Sequence, residues 1–92
     1  MADHTEDICN DWHGKQGDKV TFVNSTSGYC TITQDGKNTW PFKEGPPIPI
    51  DGNPIIPGGT ATAHLKNPFK DGTYTYDVDC CKNQTPKNVT VP

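Results

Sequence analysis

What the chain lacks narrows it most. No apolar run is long enough to cross a bilayer as a helix. No window repeats apolar residues at helical spacing over a useful length, because Gly, Pro, Asn or Asp interrupts each one. Helices are therefore not expected. Lysines are scattered without a basic cluster, and the net charge is −3 with a pI near 5.4. That balance argues against nucleic acid and anionic membranes as partners. Serine occurs only at Ser25 and Ser27, side by side in a turn, and no Gly-x-Ser-x-Gly motif is present. No paired-carboxylate site can be placed either, so no catalytic residue is assigned and the chain is read as a non-enzyme.

Hydrophobic residues are also scarce, at 30% of 92 positions. Combined with a high charge, such a composition would mean disorder. Here the charge is small and the apolar residues fall into alternating runs, which argues for one folded domain over residues 1–92. A chain of this length buries only roughly 60–65% of its unfolded surface. Four cysteines offer the missing stability as cross-links. Disulfides in a short polar domain imply an oxidising compartment, hence a secreted or periplasmic protein. The start, from Met1 to Asp7, is polar and acidic and does not read as a signal peptide. Met1 is read as an added start on a mature secreted domain.

The runs alternate with a period of two. Val20 and Phe22, then Cys30 and Ile32, share a face. Ala61, Ala63 and Leu65 alternate with Thr60, Thr62 and His64. Tyr74, Tyr76 and Val78 alternate with Thr73, Thr75 and Asp77, and Val89 and Val91 end the pattern. Turn residues bound these runs: Gly17-Asp18, Asp35-Gly36, Gly58-Gly59 and Asp71-Gly72. The expected strands are Ile8–Trp12, Val20–Asn24, Tyr29–Thr33, at most one edge strand within the loop that follows, then Thr60–Leu65, Thr73–Asp79 and Asn88–Val91. They make an all-β, two-sheet Greek-key β-sandwich. The stretch from Trp40 to Pro57 holds six of the nine prolines. It is expected to be a long surface loop, since proline removes ladder donors, and it is either functional or simply stiffened.

Two stretches carry a family resemblance. Val20 to Cys30 (VTFVNSTSGYC) and Gly72 to Cys81 (GTYTYDVDCC) resemble the cupredoxins, the plastocyanin-like family, and the resemblance runs from Gly17 to Val91. It implies a cupredoxin-like sandwich with a metal site at one pole. The family's two histidine ligands align with Cys30 and Cys81, its cysteine ligand with Val78, and its fourth ligand with Pro86. All four positions depart from the pattern, so the resemblance implies a copper-free pole with no cofactor. The converging positions imply instead that a Cys30–Cys81 disulfide replaces the ion, with Cys9 bonded to Cys80. The exchanged pairing, Cys9–Cys81 with Cys30–Cys80, stays open because residues 80 and 81 are adjacent. The Cys30–Cys81 bond, closing about fifty residues, would contribute roughly 4 kcal/mol in the chain-entropy picture.

The alternative is a copper-binding or electron-transfer relative whose ligands come from Cys30, Cys80, Cys81 and His4. Redox exchange at the neighbouring pair Cys80-Cys81 is a further reading, without the helix N-terminus that such dithiols use. His4 could also take part in an amino-terminal copper motif, Ala2-Asp3-His4, if Met1 is absent. His13 and His64 read as solvated. Trp12, Trp40 and Phe42 are either an exposed aromatic platform for a glycan or peptide, with Trp40 and Phe42 as the binding residues, or core packed beneath the proline loop. Asp77 and Asp79 read as a solvated face. Three triplets, at Asn24, Asn83 and Asn88, fit N-glycosylation in a eukaryotic secreted protein. The functional expectation is a binding or structural module with an extracellular or periplasmic protein as partner.

Overall fold

In the computed structural model, which describes residues 2–82 and 85–92, the chain forms seven strands and, among the described residues, no helix. The strands are β1 (Asp3–Asp7), β2 (Trp12–His13), β3 (Lys19–Val23), β4 (Ile32–Gln34), β5 (Thr60–His64), β6 (Gly72–Val78) and β7 (Lys87–Val91). One sheet has the order β1-β3-β5 and the other β2-β7-β6-β4. Both are mixed. β1 runs parallel to β3 and β2 parallel to β7, while the other pairs are antiparallel.

The period-two runs decide what faces inward. Val20 and Phe22 of β3, Ala63 of β5, Tyr76 and Val78 of β6, and Val89 and Val91 of β7 are all buried. With one leucine in the chain, aromatic rings fill much of the interior. Phe22 of one sheet meets Tyr76 of the other at 6.0 Å, and Phe42 at 5.7 Å. Trp12 joins the same group edge-on to Phe22 and donates its Nε1–H to the Tyr76 hydroxyl at 2.9 Å. Burial pushes the Tyr76 phenol well above its ordinary range. The chain crosses Trp12 at Gly14, where a Cβ would stand 2.6 Å from the indole. Only a residue without a side chain fits that approach.

Two expectations are corrected. The first concerns Ile8–Trp12, which is not a strand. Of that range only Trp12 is in a strand, as the start of β2, and a turn closed by Asn10 N–H on the Asp7 carbonyl joins β1 to β2. β1 reads Asp-His-Thr-Glu-Asp, without an apolar period, and it forms through its backbone ladder with β3.

The second concerns the loop from Trp40 to Pro57, which runs over the surface for much of its length but is not only a surface excursion. Trp40, Phe42, Ile48 and Ile55 are core residues. Single antiparallel bridges tie Phe42 to Leu65, Ile48 to Ile32 and Ile55 to Cys30. The Ile32/Ile48 pair exchanges both hydrogen bonds at 2.8 Å. Proline deletes a donor only at its own position. The isoleucines between the prolines keep theirs, so the loop makes isolated bridges where it cannot make a ladder. It thereby covers the β4 edge of one sheet and reaches past β5 of the other.

Candidate functional site

Four cysteines from three parts of the chain meet at one pole. Cys9 follows β1, Cys30 precedes β4, and Cys80 and Cys81 follow β6. The structure joins Cys9 to Cys81 and Cys30 to Cys80, with Cα–Cα distances of 5.5 and 5.1 Å. No cysteine is free. Cys30 and Cys81 do share the pole, but they are not bonded to each other, and Cys9 is not bonded to Cys80. The exchanged pairing is the one found. After Val78 the chain turns, with Cys81 N–H donating to the Val78 carbonyl. The turn breaks the two-residue alternation of β6, so strand phase does not say which of two adjacent sulfurs faces which partner. Cys81 goes under, where it is buried, and Cys80 stays half-buried.

The sulfurs of Cys9, Cys80 and Cys81 lie within 4.8 Å of one another. Bonded pairwise with Cys30, they are not thiolates, the form that ligates a metal. His4 does not join them. It sits toward the other end of β1, five residues before Cys9, which is about 16 Å of extended chain. Val78 is buried core and Pro86 is exposed. The amino-terminal copper motif is also incompatible with this fold. Its three residues would have to wrap one ion, whereas Asp3 and His4 are paired with Lys19 and Val20.

Beside the Cys30–Cys80 bond lies Asn24, with no exposure at all. Its Nδ2 donates to the carbonyls of Gly28 at 2.8 Å and Ile55 at 2.9 Å. Its Oδ1 accepts from the Thr26 amide at 3.0 Å and the Thr26 hydroxyl at 2.6 Å. Both amide hydrogens are used and no space remains for a sugar, so a glycan on Asn24 is incompatible with the folded domain. Asn88 is half-buried on β7. Asn83, the start of the remaining triplet, lies outside the described residues.

The aromatic candidates are interior. Trp12, Trp40 and Phe42 are each at most 6% exposed, so none offers a platform to a ligand. Trp40 donates its Nε1–H to the Glu44 carbonyl at 2.7 Å. Among the described residues, the large apolar ones that face solvent are Tyr29, Ile50 and Ile56, each more than half exposed. The Cys30/Ile55 bridge sets two of them. Cys30 and Ile55 point inward, so their neighbours Tyr29 and Ile56 stand outward and opposite each other. Ile50 projects from the turn closed by Gly52 N–H on the Pro49 carbonyl. The exposed Pro46, Pro54 and Pro57 belong to the same loop. Sequence reading did not single out these three residues, because their exposure follows from the bridge phase of a segment without strand periodicity.

Two acidic side chains organise the opposite end. Asp18, buried, accepts from the Ala2 amide at 2.9 Å, the Lys15 amide at 2.8 Å and His4 Nε2 at 2.8 Å. Burial pushes its carboxyl up, but those hydrogen bonds outweigh it and lower the value from 3.8 to about 2. Glu44 accepts from the His64 amide at 2.8 Å and from His64 Nδ1 at 2.6 Å, tying the loop to β5. Its partial burial is likewise outweighed by His64, and the carboxyl lies below its ordinary range. His64 is thus held rather than free, although partly exposed. Asp79 accepts from the Thr31 amide, and Asp77 from the Thr85 hydroxyl.

Asp18 supplies a pH-dependent result. Its native carboxyl binds a proton more weakly than the unfolded one. The contribution to stability is therefore complete above about pH 5 and is lost as the pH falls through 4 toward 2. Asp18→Asn is expected to cost on the order of 2 kcal/mol at pH 7. The gap between variant and wild type should close toward pH 2. Urea midpoints of both proteins at pH 7 and pH 3 measure it. An equal gap at both values would show that Asp18 is not ionised against these donors.

No family model matches the chain, and a search of the curated proteins finds no match.

Proposed function

We infer that the chain is a cupredoxin-like Greek-key sandwich whose pole carries disulfides in place of a metal. It acts as a binding or structural module, without catalysis or cofactor, in a secreted or periplasmic setting. The observation that carries this reading is the double cross-link itself. Cys30 and Cys81, the positions that the resemblance assigns to metal ligands, lie at one pole, and every sulfur there is covalently occupied. Two such bonds in a domain of this size are consistent with an oxidising compartment. Residue for residue, the pole has nothing that resembles the family's electron-transfer site.

Tyr29 and Ile56 beside that pole, with Ile50 from the same proline loop, supply the docking surface for a protein partner. A tyrosine among rigid proline-flanked isoleucines offers apolar area at low entropic cost. The test uses Tyr29→Asp with Ile56→Asp, both solvent-facing, so that folding is retained and can be checked by near-UV circular dichroism. A protein cross-linked to the wild type in the secreted or periplasmic fraction, and lost from the folded double variant, supports the reading. Equal capture by both proteins overturns it.

A second reading rests on the closeness of Cys9, Cys80 and Cys81. Reduced, they would become thiolates within reach of one copper ion. It requires the reduced chain to hold its fold without either cross-link. Stoichiometric copper in protein purified under reductant, with native circular dichroism, would favour it.

A further inference from the structure

Three of the eight lysines, scattered along the sequence, come together beyond β5. The Phe42/Leu65 bridge sets two of them. Phe42 and Leu65 face the core, so their neighbours Lys43, His64 and Lys66 stand outward. Lys43 N–H donates to the His64 carbonyl at 2.8 Å, and Lys66 N–H to the Pro41 carbonyl at 3.0 Å. Lys43 is thereby fixed opposite His64, with Lys66 two positions further along. An open cavity of about 590 Å³ lies there, lined by both lysines, His64 and Asn67 among others. Among the described residues neither lysine pairs with a carboxylate. Glu44, the acid next to Lys43, is taken up by His64.

Pro68 joins this cavity to a second one of about 520 Å³, lined by Thr39, Phe69, Lys70 and Tyr74. Here the wall is aromatic. The rings of Phe69 and Tyr74 stack at 4.3 Å with 23° between their planes. Both residues pack on the core, and both keep part of their surface in solvent. The pair is held in place. Phe69 N–H donates to Gln16 Oε1 at 2.9 Å, and the Tyr74 hydroxyl donates to the Lys70 carbonyl at 2.7 Å. No carboxylate lines either cavity, although the chain has eleven acidic residues against eight lysines.

We propose that the joined cavities bind an acidic oligosaccharide, a chain of sugars carrying carboxylate or sulfate groups. The apolar C–H face of a sugar ring packs on the electron-rich face of an aromatic ring. Rings that are already fixed lose little entropy when it does. Lys70 stands beside the stack for the acid group of that sugar, and Lys43 and Lys66 for that of its neighbour. A neutral sugar would leave the ammonium groups unused, and a plain polyanion would leave the rings unused. Nucleic acid also combines stacking with charge. The two disulfides, however, fit an oxidising compartment, where polysaccharides are the prevalent polyanions. The site shares no residue with the disulfide pole or with the surface of Tyr29, Ile50 and Ile56, and it is independent of the protein partner inferred there.

Titration of the disulfide-intact full chain with hexagalacturonate, which carries carboxylates, and with a heparin-derived hexasaccharide, which adds sulfates, tests it by amide resonances. Saturable binding of at least one of them with Kd below about 1 mM is expected. The resonances of Lys43, Lys66 and Phe69 should shift and those of Tyr29 and Ile56 stay unmoved. The tighter of the two names the acid group. Lys43→Gln with Lys66→Gln, both outward-facing, should weaken binding about tenfold. Phe69→Leu, which keeps an apolar side chain but removes the aromatic face, should weaken it about fivefold in protein that near-UV circular dichroism shows folded. Equal binding of a thymidylate hexamer would assign the surface to polyanions in general and overturn the proposal. So would wild-type affinity in either variant, or no saturable binding of either saccharide below about 1 mM.

Discussion

Reduction of both disulfides is expected to unfold the domain at 25 °C. The Cys9–Cys81 bond closes a loop with a sequence separation of 72 and the Cys30–Cys80 bond one of 50. In the chain-entropy picture each contributes about 4 kcal/mol. Together that approaches or exceeds what remains in a domain of this length, roughly 5–14 kcal/mol in total. The core cannot replace them, because 30% hydrophobic composition leaves little further apolar area to bury. Replacing one bond, as Cys30→Ala with Cys80→Ala, should lower stability by about 4 kcal/mol and Tm by roughly 15–30 °C. Loss of native circular dichroism on adding a dithiol reductant reads the first result, and thermal melts read the second. A reduced chain with an unchanged melt would mean that the sandwich stands on its packing alone.

The second large effect is at Phe42. Its ring packs against Phe22 at 5.7 Å, Trp40 at 5.2 Å and Tyr76 at 5.2 Å, so one side chain joins the proline loop to both sheets. Phe42→Ala removes the anchor and leaves a cavity among aromatic rings that cannot close around it. A cost of about 3–5 kcal/mol is expected. Phe42→Leu, which keeps most of the volume, should cost about 1–2 kcal/mol. Urea denaturation of the two variants measures both. A cost below about 1 kcal/mol for the alanine would show that the loop lies over the sandwich without being part of it.

Much of the sandwich was legible from the sequence. The alternation at Val20 and Phe22, Ala63 and Leu65, Tyr76 and Val78, and Val89 and Val91 is a direct record of which side chains face the core. β1 was not legible, since Asp-His-Thr-Glu-Asp has no apolar phase. A polar edge strand is held by backbone bonds, and polar side chains on an edge discourage further pairing. Proline density points to a surface loop with at most one edge strand, whereas Ile48 and Ile55 pair singly between the prolines and face the core. The meeting of cysteines at one pole followed from the family resemblance. Their partners did not, because the turn at Val78–Cys81 lies below the resolution of any strand pattern. Asp18 was visible as a turn residue. Its role as a buried acceptor was not, since the groups that define it include Ala2 and His4, sixteen and fourteen positions away. The outward trio Tyr29, Ile50 and Ile56 depended on the same unforeseen bridges.

Tandem mass spectrometry of the unreduced protein, with fragmentation between Cys80 and Cys81, tests the covalent clamp most directly. Cys9 should be linked to Cys81 and Cys30 to Cys80, with no sulfur open to alkylation under denaturing conditions. Four alkylatable thiols, or a metal ion co-purifying in stoichiometric amount with them, would contradict it.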